Sequence, residues 1–226
     1  HTLFCGELDD THPPHKNHRH RLGGEGRSEV YHDPDGRYFV HCYRTSSERQ
    51  LVILSNSKTT SEAWVLPADE PEGRWTCLAP REENHEYYPD HGRLDGQWCW
   101  FVRSNQTGIN FALYQAAESA PQREHWQELV AHRDEVMLED ISLNASALTL
   151  SLREAGLPII EVRPQNGAAY RLQLPDAAYS LHVQNTLEFD SPVIRLRYEA
   201  LNRPAQIRQL QLADGGQQVL KETPVE

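Results

Sequence analysis

Apolar residues in this chain fall into short runs separated by polar, Gly- or Pro-containing breaks, the pattern of β-strands joined by turns. Gln50 to Asn56 (QLVILSN) and Ser61 to Pro67 (SEAWVLP) predict two strands around the polar turn Ser57 to Thr60. Gln97 to Arg103 (QWCWFVR) and Asn110 to Gln115 (NFALYQ) predict a second pair. The intervening Ser104 to Gly108 holds an Asn and a Gly suited to a tight turn with positive φ. In LVIL and WCWFV the apolar residues are adjacent, so both faces of those strands need cover. Later strands alternate, Leu148, Leu150 and Leu152 against Thr149 and Ser151, and Ile194, Leu196 and Tyr198 against Arg195, Arg197 and Glu199. That alternation predicts one wetter face in each.

The strands recur as a unit. Trp75 to Leu78 (WTCL) and Trp126 to Leu129 (WQEL) lie 51 residues apart, each after an acidic, Pro-containing loop and each before a short basic stretch. Weaker copies end at Tyr170 to Leu174 and Gln218 to Lys221. A repeat of about fifty residues built from short strands predicts an all-β fold of β-propeller blades, four-stranded antiparallel sheets stacked side by side. Residues 33–82, 83–133, 134–176 and 177–226 divide as four blades. Residues 1–32 hold strands at Thr2 to Glu7, His18 to Leu22 and Ser28 to His32 but no opening strand, an incomplete blade. An open ring leaves an apolar face and a strand edge unpaired, so this pattern suits part of a longer protein. The helical spacing of Trp126, Leu129 and Val130 is outweighed by their register in the repeat.

Composition narrows the function classes. A net charge of −11 disfavours nucleic acid as a partner, which needs basic patches, and permits a cationic one. No apolar run is long enough to span a membrane as a helix. Cys5, Cys42, Cys77 and Cys99 are scattered on predicted strands without a CxxC pair, which predicts buried free thiols and a reducing, cytoplasmic setting.

Two clusters invite chemistry. His12, His15, His18 and His20 are dense, and His18 and His20 would share a strand face. Yet Lys16, Arg19 and Arg21 would repel a cation, and no carboxylate or thiol spacing completes a coordination shell, so no metal is assigned. The second cluster, His85 to His91, mixes imidazoles, acids and phenols, but it opens its unit as Met137 to Asp140 opens the next. First strands of propeller blades line the central channel. Glu86, Tyr87, Glu139 and Asp140 are therefore the candidate channel-facing residues. No GxSxG elbow occurs, and the glycines of Leu22 to Gly26 lack the Lys-Ser/Thr of a phosphate loop. No catalytic residue and no cofactor is assigned.

Particular residues carry a resemblance: His20 to Gly23, Ser61 and Glu62 followed by Leu66 to Asp69, Leu78 to Glu82 with His85 to Tyr87, Arg103 to Asn105, Asn110 and Phe111, Trp126 through Arg133, and Val219 to Pro224. Over essentially the whole chain, and most strongly over residues 17–140, it resembles the propeller of the oligopeptidase B (protease II) family in the prolyl oligopeptidase group of serine peptidases. The resemblance implies a seven-bladed propeller, of which this chain is about four and a half blades, capping an α/β-hydrolase domain that cleaves short peptides after Arg or Lys. That domain, absent from this chain, would be a partner, short basic peptides the other. Glu86, Tyr87, Glu139 and Asp140 would face the channel or that domain, and none of the catalytic triad maps here. The alternatives are a stand-alone propeller that binds a ligand without peptidase activity, and a propeller glycosidase, for which no duplicated acidic motif supplies the carboxylate pair.

Overall fold

The computed structural model describes residues 1–8, 14–184 and 188–224. Its strands form five antiparallel sheets. The first holds β1 (Thr2–Glu7), β2 (Lys16–Arg21) and β3 (Ser28–His32). The second holds β4 (Phe39–Arg44), β5 (Gln50–Asn56), β6 (Ser61–Pro67) and β7 (Thr76–Ala79), and the third β8 (Tyr87–Leu94), β9 (Gln97–Ser104), β10 (Ala112–Ala117) and β11 (Gln127–Val130). The fourth holds β12 (Val136–Asn144), β13 (Ala147–Glu154), β14 (Leu157–Pro164) and β15 (Tyr170–Arg171), and the fifth β16 (Tyr179–Gln184), β17 (Val193–Ala200), β18 (Arg203–Gln211) and β19 (Gln217–Glu222). Within each sheet every strand pairs with the next in sequence, the meander of a propeller blade. The repeat signatures at Trp75 and Trp126 introduce the last strands, β7 and β11.

Each sheet after the first touches the preceding one through its first strand. β8 meets β5 and β6, β12 meets β8 and β9, and β4 meets β1 and β2. Gly92 on β8 makes close approach possible, since an added Cβ there would lie 3.0 Å from Leu143 Cδ1 on β12.

Three apolar clusters fill the spaces between the second and fifth sheets. Val52, Val65, Leu78 and Trp100 belong to one, Phe101, Leu113, Leu138 and Leu150 to the next, and Ile160, Leu181, Leu196 and Tyr198 to the third. Each such side chain contributes about 1.5–3 kcal/mol on burial, which is why the adjacent apolar residues of β5 and β9 are covered on both faces. The seam between the first and second sheets is more polar. Arg81 pairs with buried Asp33, lies 3.6 Å from the Tyr38 ring centre, and donates to Ser55 Oγ at 3.0 Å. Burial alone would raise the Asp33 pKa, but the hydrogen bonds from Arg81 and Ser55 outweigh it and hold the carboxyl below its usual range.

Several expectations are corrected. β17 does alternate buried and exposed positions, but Thr149 on β13 is fully buried, because the fourth sheet has a neighbour on each side. Positive φ in the turn after β9 falls not at Asn105 or Gly108 but at Phe111, at 61°. Among the thiols only Cys99 is buried; Cys42 and Cys77 are half-buried and Cys5 is exposed. Phe4 turns its ring toward Trp75 of the second sheet, with centroids 5.8 Å apart, so Cys5, next along the strand, points to the opposite face.

Candidate functional site

The first strands β4, β8, β12 and β16 all border one cavity of about 460 Å³, whose wall includes Tyr43, Asp90, Arg103, Asp140, Ser151 and Gln184. The sequence places these groups far apart; the stacking of sheets brings them together. Tyr43 ties β4 to β8, its hydroxyl donating to the Pro89 carbonyl at 2.8 Å.

Asp90 is held by the loop after β4. Its carboxylate accepts the Ser46 backbone N–H at 2.8 Å, the Ser46 hydroxyl, and the His91 N–H at 2.8 Å. Burial raises its pKa; these three hydrogen bonds pull it back, and the charge of Asp140 pushes it further up. Asp140 is exposed, with one carboxylate oxygen accepting the Ile141 N–H at 2.9 Å.

Two cations line the cavity: Arg44, 3.9 Å from Glu48, and Arg103 on β9. The Arg103 guanidinium carbon lies 4.5 Å from the Tyr88 ring centre and 4.3 Å from that of Phe111, and Nη1 donates to the Leu138 carbonyl at 3.4 Å. Two aromatic faces therefore fix the plane of the fork. Burial holds its pKa below the usual arginine value, against the pull of Asp140.

Of the four residues named from sequence, Asp140 alone lines this cavity. Glu86 is half-buried, its carboxylate accepting the Tyr88 hydroxyl at 2.9 Å and its backbone N–H bound to Asn105 Oδ1 at 2.8 Å. Glu139 faces Arg153, with Nη2 of the guanidinium 3.3 Å from Oε2. It is the extra residue of a bulge: Leu138 pairs with Leu152 while Asp140 pairs with Ser151, which re-aims the two acids at the surface. Tyr87 is a correction. It has no exposed surface and packs in the apolar cluster between the second and third sheets, because it sits on the opposite face of β8 from Glu86, Tyr88 and Asp90. Asp90 and Arg103 are among the cavity residues that sequence reasoning missed, with Tyr43, Arg44 and Glu48. Period two from Glu86 leads to Tyr88 and Asp90, but nothing local points to Arg103.

Behind the cavity wall, Ser47, His91 and Glu118 form a polar chain. Ser47 Oγ lies 2.7 Å from His91 Nδ1, and His91 Nε2 lies 3.4 Å from Glu118 Oε1. The residue types invite comparison with a hydrolytic triad, but the serine is buried and its oxygen already accepts the Arg49 N–H at 3.3 Å. Burial lowers the His91 pKa to about 4, too low for a general base at neutral pH. The chain joins the second and third sheets. In the histidine cluster, His12 lies outside the described residues, and His20 Nδ1 lies 2.8 Å from the Gly26 carbonyl oxygen.

Residues 2–223 match the family model of the prolyl oligopeptidase N-terminal beta-propeller domain. Among relatives, dipeptidyl aminopeptidase BI of Pseudoxanthomonas mexicana is 29% identical over 197 residues, covering 87% of this chain and 27% of the relative. Protease 2 of Moraxella lacunata is 24% identical over 225 residues, 99% of this chain and 32% of that protein. Among solved structures, oligopeptidase B from Trypanosoma brucei superposes with a TM-score of 0.89 at 23% identity, over 99% of this chain and 33% of the other. The chain spans between about a fifth and a third of the length of the proteins it matches. With a repeat of four-stranded sheets, first strands sharing one cavity, and a family match over nearly its full length, this chain belongs to the prolyl oligopeptidase N-terminal β-propeller domain family.

Proposed function

We propose that this chain is the propeller portion of an oligopeptidase B-like serine peptidase that cleaves short peptides after Arg or Lys, and that it gates access to a hydrolase domain of the same protein. The observation that carries the proposal is the cavity bordered by four first strands, with Asp140 exposed in its wall. A channel completed by further blades would admit an extended peptide, reject a folded protein and keep the reaction from bulk water. An exposed carboxylate attracts a cationic side chain over about a Debye length, an effect that salt weakens. Glu139 contributes little, because Arg153 already neutralises it.

The test uses the full-length protein and three reporters, one cleaved after an internal Arg, one after Ala, and one released as an N-terminal dipeptide. Cleavage after Arg is expected to dominate. Asp140→Asn is expected to raise KM for the Arg reporter about threefold at low salt, with the difference gone near 0.5 M salt; Glu139→Gln should leave KM unchanged. Dominant dipeptide release would replace the cleavage specificity, and an unchanged KM in Asp140→Asn would remove the steering role.

A further inference from the structure

Arg103 combines three properties that a structural arginine seldom has together. It lines the cavity, it is clamped in one orientation by Tyr88 and Phe111, and among the described residues no carboxylate oxygen comes within ion-pair distance of it. Arg44, the other arginine of the wall, lies 3.9 Å from Glu48, and Arg93 on β8 lies over Trp98 outside the cavity; three more arginines nearby are paired. Arg49 meets Glu118 at 3.3 Å, Arg123 meets Glu82 at 2.7 Å and Arg153 meets Glu139. Arg103 donates to one carbonyl, and burial outweighs the pull of the nearby carboxylates on its charge, so the desolvation of this guanidinium is under-compensated. A planar fork held between two rings matches a carboxylate, and its rotamer entropy is already spent.

We infer that Arg103 is the anchor for the C-terminal carboxylate of a short peptide lying in the first-strand cavity. The acids in the same wall do not compete for that role: Glu48 lies 3.9 Å from Arg44. Asp90 is turned to Ser46 and His91, and Asp140, on β12, is left to face a cationic part of the same peptide. Ser151 and Gln184 add neutral polar groups to the wall. A zwitterion suits such a wall better than an ion of either sign. The assignment rests on the reading that short peptides enter this cavity, and it adds a preference for chains with a free carboxylate, which steering by acids does not produce.

The test is equilibrium binding to the full-length protein of tetra-alanine with a free C-terminus and of the same peptide as its C-terminal amide, by titration calorimetry. Neither probe has a basic side chain, so the result is independent of whether the enzyme cuts after Arg or Lys. The free acid is expected to bind about tenfold more tightly, as for a charge-assisted forked pair. Arg103→Gln should abolish the difference, and Arg103→Lys, which keeps the charge without the fork, should retain part of it. Asp140→Asn should leave the acid-over-amide ratio at least as large. Equal affinity of the two peptides for the unaltered protein, no binding of either, or an undiminished ratio in a folded Arg103→Gln variant would each overturn the assignment. The comparison on the unaltered protein decides even where the variant fails to fold.

Discussion

The phenolic oxygen of Tyr87 lies 2.7 Å from the backbone nitrogen of Ala63, inside a gap in another sheet's ladder. Between β6 and β7 the register shifts at Ala63 and Trp64, which leaves ladder groups unpaired. The Tyr87 hydroxyl accepts the Ala63 N–H and donates to the Ala79 carbonyl at 2.6 Å, while Ser61 Oγ accepts the Tyr87 N–H at 2.6 Å. One side chain of the third sheet thus completes the second. Tyr87→Phe keeps the ring and strands these buried groups, so a loss of about 1–3 kcal/mol is expected. Urea unfolding of the two proteins checks it: midpoints that coincide would show that the hydroxyl contributes nothing.

His91 makes stability depend on pH. It is wholly enclosed, its ring stacked on Trp98 with centroids 5.7 Å apart and edge-on to Trp100 at 5.0 Å. Burial lowers its pKa to about 4; Glu118 opposes this and Arg49 adds to it. The unfolded chain, with a histidine pKa near 6.5, takes up this proton first. The contribution is therefore intact above about pH 6.5 and is lost as pH falls toward 4, with a slope approaching about 1.4 kcal/mol per pH unit. His85, lowered by burial, acts in the same direction; Asp90, whose carboxyl is raised, acts in the opposite one. His91→Gln should be less stable at pH 7 yet lose less between pH 6.5 and 4.5. Parallel pH profiles for the two proteins would refute this account.

Gly108 is required by a neighbour and not by its own dihedral angles. A Cβ there would fall 2.3 Å from Nε2 of His132. That nitrogen lies 3.4 Å from the Asn110 backbone nitrogen, so the ring has a partner to lose if it moves. Gly108→Ala is expected to cost about 1–2 kcal/mol through overpacking. The same change in a His132→Ala background should cost much less, and a double-mutant cycle measures the coupling. Additive losses would mean that the ring makes room freely.

Much of the architecture was legible in the chain itself. Gln50 to Asn56 and Ser61 to Pro67 appear as strands with the bounds read from their apolar runs, and the Trp75 and Trp126 copies mark equivalent places in successive sheets. Local patterns suffice there because strand propensity, turn residues and period two are short-range properties. The site was less legible. Naming Glu86 and Tyr87 together overlooked that neighbours on a strand point to opposite faces, and Tyr87 is accordingly buried. Glu139 and Asp140 can both reach the surface only because of a bulge, whose presence depends on pairing with β13.

By itself, then, the sequence determined the strands, their grouping into repeated four-stranded units and the family to which they belong, since these are written in spacings of a few residues and in a period of about fifty. Tertiary structure decided which polar groups meet. Asp90, Arg103 and Asp140 sit on three different strands, and the loop that holds Asp90 comes from a fourth element, so their meeting depends on how one sheet stacks on the next. It also decided that Thr149 is dry and Cys5 exposed, because burial of a strand face depends on whether another sheet covers it, and no pattern within the strand carries that information.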